Sequence, residues 1–162
     1  MKVYHGSDTI VDVPLILPPV RALDFGNGFY VTTNIEQAKT WAATVAYRNS
    51  SSNSVVNEYE FDFESAENAL RIIRFSAADA EWLEFICANR QNRFAGEYDI
   101  VIGPVADDKV YRVVVGYENG DIDKSSALKR LKAEKLCDQI LFHTSISLKY
   151  LKFSGAERTI TV

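Results

Sequence analysis

The sequence predicts an α+β fold in a single domain, and three observations carry that expectation. Stretches with the two-residue alternation of strands are interspersed with stretches of helical spacing along the chain. Hydrophobic residues make up 47% of 162 residues, enough for one core but too short a chain for two ordinary domains, so residues 1–162 read as one unit. Charged residues at 25%, with plentiful aromatics, are the composition of a globular chain and not of a disordered one.

Residues 2–5 read as a short strand that runs into a turn at Gly6-Ser7-Asp8, and the prolines of residues 13–20 exclude a continuous helix there. Residues 28–32 read as a brief strand. Thr33 with Glu36 forms a capping-box pattern before a helix whose apolar face is Ile35, Ala38, Trp41, Ala42 and Val45. After the polar residues 49–54, Val55, Asn57, Tyr59, Phe61 and Phe63 alternate with Val56, Glu58, Glu60 and Asp62, the pattern of a half-buried strand.

Residues 70–75 predict another strand, Ser76 a cap for a helix carrying Leu83 and Ile86, and residues 98–105 an apolar strand bounded by glycine and proline. Asp107 and Asp108 suit the N-terminus of a helix with Val110, Val113, Val114 and Tyr117, ending at Asn119-Gly120. A second helix is expected over residues 125–136 and a strand over 139–143. Thr144 or Ser145 then caps a short helix through Leu148 and Leu151, and residues 158–162 add a last strand.

The net charge of −4 removes the basic footprint that non-specific nucleic-acid binding needs. Cys87 and Cys137 show no metal-ligand spacing with His5 and His143, so they are expected as buried thiols in a reducing compartment, with no metal site. No export signal opens the sequence, and no apolar run reaches the roughly 20 residues of a membrane span. A cytoplasmic protein with no membrane partner is the expectation.

Two short words in this order, Tyr4-His5-Gly6-Ser7 and Gly28-Phe29-Tyr30-Val31-Thr32-Thr33, are followed eleven residues after Tyr30 by Trp41 in an alanine-bearing helix. In this the sequence resembles the ADP-ribosyltransferase family, especially the branch of diphtheria toxin and the poly(ADP-ribose) polymerases. The likeness covers residues 1–46 well, residues 55–63 loosely and the remainder only by order of elements. It implies a split mixed β-sheet core with flanking helices, and NAD as substrate.

The resemblance also implies roles. His5 would bond a ribose hydroxyl of NAD, and Gly6, lacking a side chain, would let its backbone meet the nicotinamide carboxamide. Ser7 would add a hydroxyl contact. Tyr30 and Trp41 would hold the cationic nicotinamide ring, with cation–π attraction of roughly 0.5–2 kcal/mol. The family's third element is a carboxylate at the start of a late strand, and Gln139 falls at that position, an amide in place of the charge.

Each of these residues has a plainer alternative. A lone histidine is more often satisfied by backbone, and for Trp41 a core position and a site position weigh equally. Gly26-Asn27-Gly28 lacks the lysine and hydroxyl of a phosphate loop and reads as a turn. Asp107-Asp108 reads as a helix cap, and Glu58 and Glu60 as a solvated strand face. Asp99, entering an apolar strand, needs a partner for its charge and stays a site candidate.

The resemblance implies a mono-ADP-ribosyltransferase that moves ADP-ribose from NAD to an unidentified protein or nucleic-acid acceptor, as a small bacterial intracellular toxin with a cognate antitoxin as partner. Gln139 leaves two alternatives, a catalytically weak or inactive NAD-binding module and an NAD hydrolase.

Overall fold

The chain is described from a computed structural model covering residues 1–134 and 136–159. The described residues form an α+β structure with two sheets. The first sheet has the order β1 (Lys2–Ser7), β3 (Ser54–Phe61), β7 (Leu151–Thr159), all antiparallel. The second has the order β2 (Phe29–Val31), β6 (Asp138–Phe142), β5 (Ile100–Pro104), β4 (Ile72–Arg74), in which only β4 and β5 are parallel.

Alternation along the strands sorts the core into layers. Val3, Tyr59 and Phe61 of the first sheet meet Phe29, Val31, Ile100, Ile140 and Phe142 of the second in one buried cluster, so these inner faces pack on each other. The outer face of the second sheet, with Val101 and Leu141, is covered by α3 (Ala80–Arg90), α4 (Asp108–Glu118) and α5 (Lys124–Leu131) through Trp82, Leu83, Ile86, Val110, Val114 and Leu131. The outer face of the first sheet is covered by α1 (Ile35–Arg48), whose Ala38 and Ala42 lie on Val56.

Tertiary packing moved several sequence-based boundaries. Gly6 and Ser7 continue β1 instead of turning, because both pair with β3 opposite Val56 and Val55. The cap of α1 is Asn34 and not Thr33: the Asn34 side chain accepts from the backbone N–H of Glu36 and Gln37, and Thr33 is engaged by Asp138. The buried face of α1 is Ala38, Ala42 and Ala46, and Trp41 lies off it, 42% exposed. The start of β3 is buried on both faces, since α1 covers the side that alternation had given to solvent.

Phe63 belongs to a helix, α2 (Phe63–Ala69), started by Asp62, whose carboxylate accepts from the Ser65 N–H. The α3 cap is Asp79 and not Ser76, and α5 stops at Leu131. The expected cap by Thr144 or Ser145 is replaced by a short 3₁₀ turn (Ser147–Tyr150) with no side-chain cap. Leu151 begins β7, which pairs with β3 well before the expected start at residue 158; residues 160–162 of that expectation lie outside the described residues. Asp107 does cap α4.

Gly6 sits where α1 crosses β1. A Cβ there would stand 2.2 Å from the Ala38 carbonyl oxygen and 2.5 Å from the Ala42 nitrogen, so α1 reaches the sheet only over a glycine. Substitution Gly6→Ala should lower stability by about 1–3 kcal/mol in urea denaturation, because backbone and not a flexible side chain must yield. An unchanged midpoint would show that the helix is free to lift.

Candidate functional site at the split between the sheets

Among the described residues the two sheets join through one bridge. Tyr4 N–H donates to the Thr32 carbonyl at 2.8 Å, and Thr32 N–H to the Tyr4 carbonyl at 2.9 Å. If β1 and β2 stayed adjacent, the next exchange would join Gly6 to Tyr30. Instead the Tyr30 carbonyl takes the His5 ring, Nδ1 to O 2.8 Å, and the strands separate.

Three consequences follow from this bond. A carbonyl only accepts, so Nδ1 carries the proton and Nε2 is left as an acceptor. The ring rests on Phe29, centroids 4.4 Å apart, and its burial pulls the imidazole pKa below 6.5 against the opposing effect of the Tyr30 carbonyl, so His5 is neutral at pH 7. The Gly6 N–H and C=O, pointing to the same edge as those of Tyr4, face the split with no strand beside them among the described residues.

Alternation places Gly6, Tyr30 and Gln139 on the outer face. Tyr30 pairs with Leu141, and Gln139 stands one step beyond the Val31–Ile140 pair, beside Thr32. The Tyr30 hydroxyl donates to the Gly26 carbonyl at 2.5 Å and accepts from Phe25 N–H at 3.2 Å, which fixes its half-buried ring; burial drives its pKa far up, so it remains a phenol. Trp41 lies beside Gly6, its Cβ 3.0 Å from where a Gly6 Cβ would be. Its exposure decides against the core position weighed for it.

Gln139 is 9% exposed, and its Nε2 has no hydrogen-bond partner among the described residues. A buried donor left unpaired costs about 1–3 kcal/mol, so this amide is the site's unsatisfied group. Its neighbour Asp138 opens β6, and its carboxylate accepts from the Thr33 hydroxyl at 2.8 Å, the Thr33 N–H at 3.2 Å and the Thr32 hydroxyl at 3.2 Å. That clamp ties the start of β6 to the entry of α1 and holds Gln139 in register.

His5 and Ser7 belong to the inner face, so the six expected ligand-site residues do not form one surface. His5 reaches the split through its ring edge. Ser7 is buried at the end of β1, accepting from Thr9 N–H at 3.3 Å and apart from Gly6 by alternation. Asp99 is structural: Arg71 N–H (3.0 Å), Arg71 Nε (3.2 Å) and the Thr144 hydroxyl (2.9 Å) all donate to it. Burial pushes that carboxyl up, but these donors more than offset it and hold it below the usual carboxylate range.

The family described as "Protein of unknown function (DUF3990)" matches residues 1–153. The chain belongs to the DUF3990 family. The DUF3990 match spans every residue of the split, from His5 to Gln139. No curated protein and no solved structure matches the chain. Among the described residues of this DUF3990 chain, no group of three or more His, Cys, Asp or Glu side chains is arranged to hold a metal, and no helix is long and apolar enough to cross a membrane. Cys87 is buried as expected, whereas Cys137 is only half-buried, within 3.2 Å of the Asn34 amide nitrogen.

Two titrations test these assignments. Because the folded pKa of His5 lies below its unfolded value, the unfolded chain binds the proton first, and stability should fall as pH drops below about 6.5. The variant His5→Asn, which keeps a donor for Tyr30, should lose that component in pH-dependent melting; an identical profile would contradict the buried neutral ring. For Asp99 the sign is the same and the window lies lower. Its stabilisation is complete above a pH of about 4 and lost as pH falls through the lower folded pKa. Asp99→Asn should therefore cost about 1–3 kcal/mol at neutral pH, with the difference closing in acid.

Proposed function

We propose that this DUF3990 protein binds NAD across the split and transfers its ADP-ribose to a macromolecular acceptor. The observation that carries the reading is the bridge at Tyr4 and Thr32, beyond which the Gly6 backbone is free while Tyr30 and Gln139 share its face. A free N–H and C=O on one residue match a carboxamide, whose carbonyl accepts and whose NH2 donates. The opening of the sheet supports the split β-core of the ADP-ribosyltransferases, and Trp41 beside Gly6 supports a nicotinamide slot with Tyr30.

In this reading Gly6 holds the carboxamide, Tyr30 and Trp41 flank the ring, and the His5 Nε2 accepts from a ribose hydroxyl. The unpaired Gln139 amide donates to the ribose. The bond between ribose C1′ and the nicotinamide nitrogen breaks with its electron pair going to nitrogen, so neutral nicotinamide leaves a cationic sugar. The acceptor's nucleophile then attacks C1′ and gives its proton to solvent. An amide stabilises that cation less than a carboxylate, at a cost of about 100-fold to 1,000-fold in rate.

The amide at Gln139 also favours a second reading, in which the protein binds NAD without breaking it. If water is the acceptor instead, the product is free ADP-ribose. A cognate antitoxin covering the split in a bacterial cytoplasm belongs to the toxin form of the proposal, and recovery of only free protein from the native cell would count against it.

Labelled NAD incubated with the protein and cell extract, followed by mass spectrometry, separates these outcomes. Transfer gives an acceptor heavier by ADP-ribose, hydrolysis gives free ADP-ribose alone, and the binding module gives neither. Gln139→Glu should raise turnover by about 100-fold. Unchanged turnover would place the third element elsewhere. Trp41→Phe should weaken NAD binding in thermal-shift titration, and the absence of any NAD-induced shift in the wild-type protein would remove the nicotinamide site altogether.

A further inference from the structure

A second cleft, of about 450 Å3, opens between loop residues 19–27, the end of α3 and the approach to β5. Gly6, Tyr30, Trp41 and Gln139 take no part in lining it. Three rings make its wall: His143 on Tyr98 with centroids 4.4 Å apart and planes 32° apart, then Phe94 at 5.5 Å from Tyr98. The His143 Nδ1 donates to the Asn27 carbonyl at 2.5 Å, which leaves Nε2 as the acceptor of the neutral ring. Around the rings stand the side-chain amides of Asn27 and Asn92 and the Arg21 guanidinium, none with a hydrogen-bond or ion-pair partner among the described residues.

The cleft is preformed. Gly26 holds a φ of +94°, and a Cβ there would lie 2.4 Å from the Tyr98 hydroxyl, which itself donates to the Phe25 carbonyl at 2.8 Å. Arg90 lies over the Tyr111 ring and contacts Asp24 at 3.5 Å and Glu118 at 3.4 Å, fastening the loop to α3 and α4.

We infer that this cleft is a second binding site, for one purine nucleotide. Of the three rings the half-buried His143 and Phe94 can stack on a base, with buried Tyr98 as their backing, and an amide side chain supplies the adjacent donor and acceptor that match the N7 and amino edge of adenine. His143 Nε2 accepts from an exocyclic amine, and Arg21 meets a phosphate. The net charge of −4 disfavours a long polyanionic strand, and the volume is that of a small-molecule site. The nucleotide is either free or the adenosine half of NAD.

Calorimetric titration with AMP tests the site. AMP should bind about tenfold more tightly than CMP or inorganic phosphate. Asn92→Gly, which keeps the positive φ of 53° at Asn92, and Arg21→Ala should each weaken AMP by about tenfold with the melting temperature unchanged. Absence of AMP binding, phosphate binding as tightly as AMP, or variants with no effect would overturn the inference. Repeating the titration with saturating NAD names the source: undiminished AMP binding identifies a separate nucleotide, and lost binding identifies NAD's adenosine. Neither arm requires NAD cleavage, so the outcome is independent of the transferase reading.

Discussion

A single hydrogen bond, from the His5 ring to the Tyr30 carbonyl, decides where the sheet continues and where it opens. On one side of it, Tyr4 and Thr32 exchange both of their backbone bonds and hold the two sheets together. On the other, the imidazole takes the carbonyl that Gly6 would otherwise use, leaving a backbone donor and acceptor at an edge. Opening an edge inside a protein is ordinarily a liability, and here it is confined to the split, with α1 packed over Gly6 on one face.

The same bond sets the protonation of the histidine. A neutral ring with Nδ1–H committed leaves one acceptor, a different chemical group from the cation that an exposed histidine becomes in mild acid. The Asp138 clamp on Thr33 performs a parallel task at the other border of β2, because it fixes the start of β6 and therefore which side of the sheet Gln139 faces.

Much of the fold was legible because local signals and tertiary packing agreed. The Asp107 cap, the apolar run before Pro104 and the alternation of the second half of β3, Glu58 to Phe61, appear where the pattern places them. Errors arose where two residues competed for one role, as when Thr33, recruited by Asp138 across more than a hundred positions, left the cap of α1 to Asn34. Short-range patterns carry no trace of such a partner. Nor did they show that α1 would bury the start of β3 on both faces. At the candidate site, a run of residue types carries no information about faces: Ser7 follows Gly6 in sequence, yet strand alternation separates them. The cleft at Tyr98 and His143 joins residues from four segments and left no motif in the sequence.

The central claim is that the Gly6 backbone is free at the split and pairs only with a ligand. Residue-resolved hydrogen exchange of the Tyr4, Gly6 and Thr32 amides, with and without NAD, tests it most directly. Tyr4 and Thr32 should be protected in both states, and Gly6 should exchange rapidly until NAD slows it. A Gly6 amide already protected in the free protein, or one that saturating NAD leaves unchanged, would contradict it.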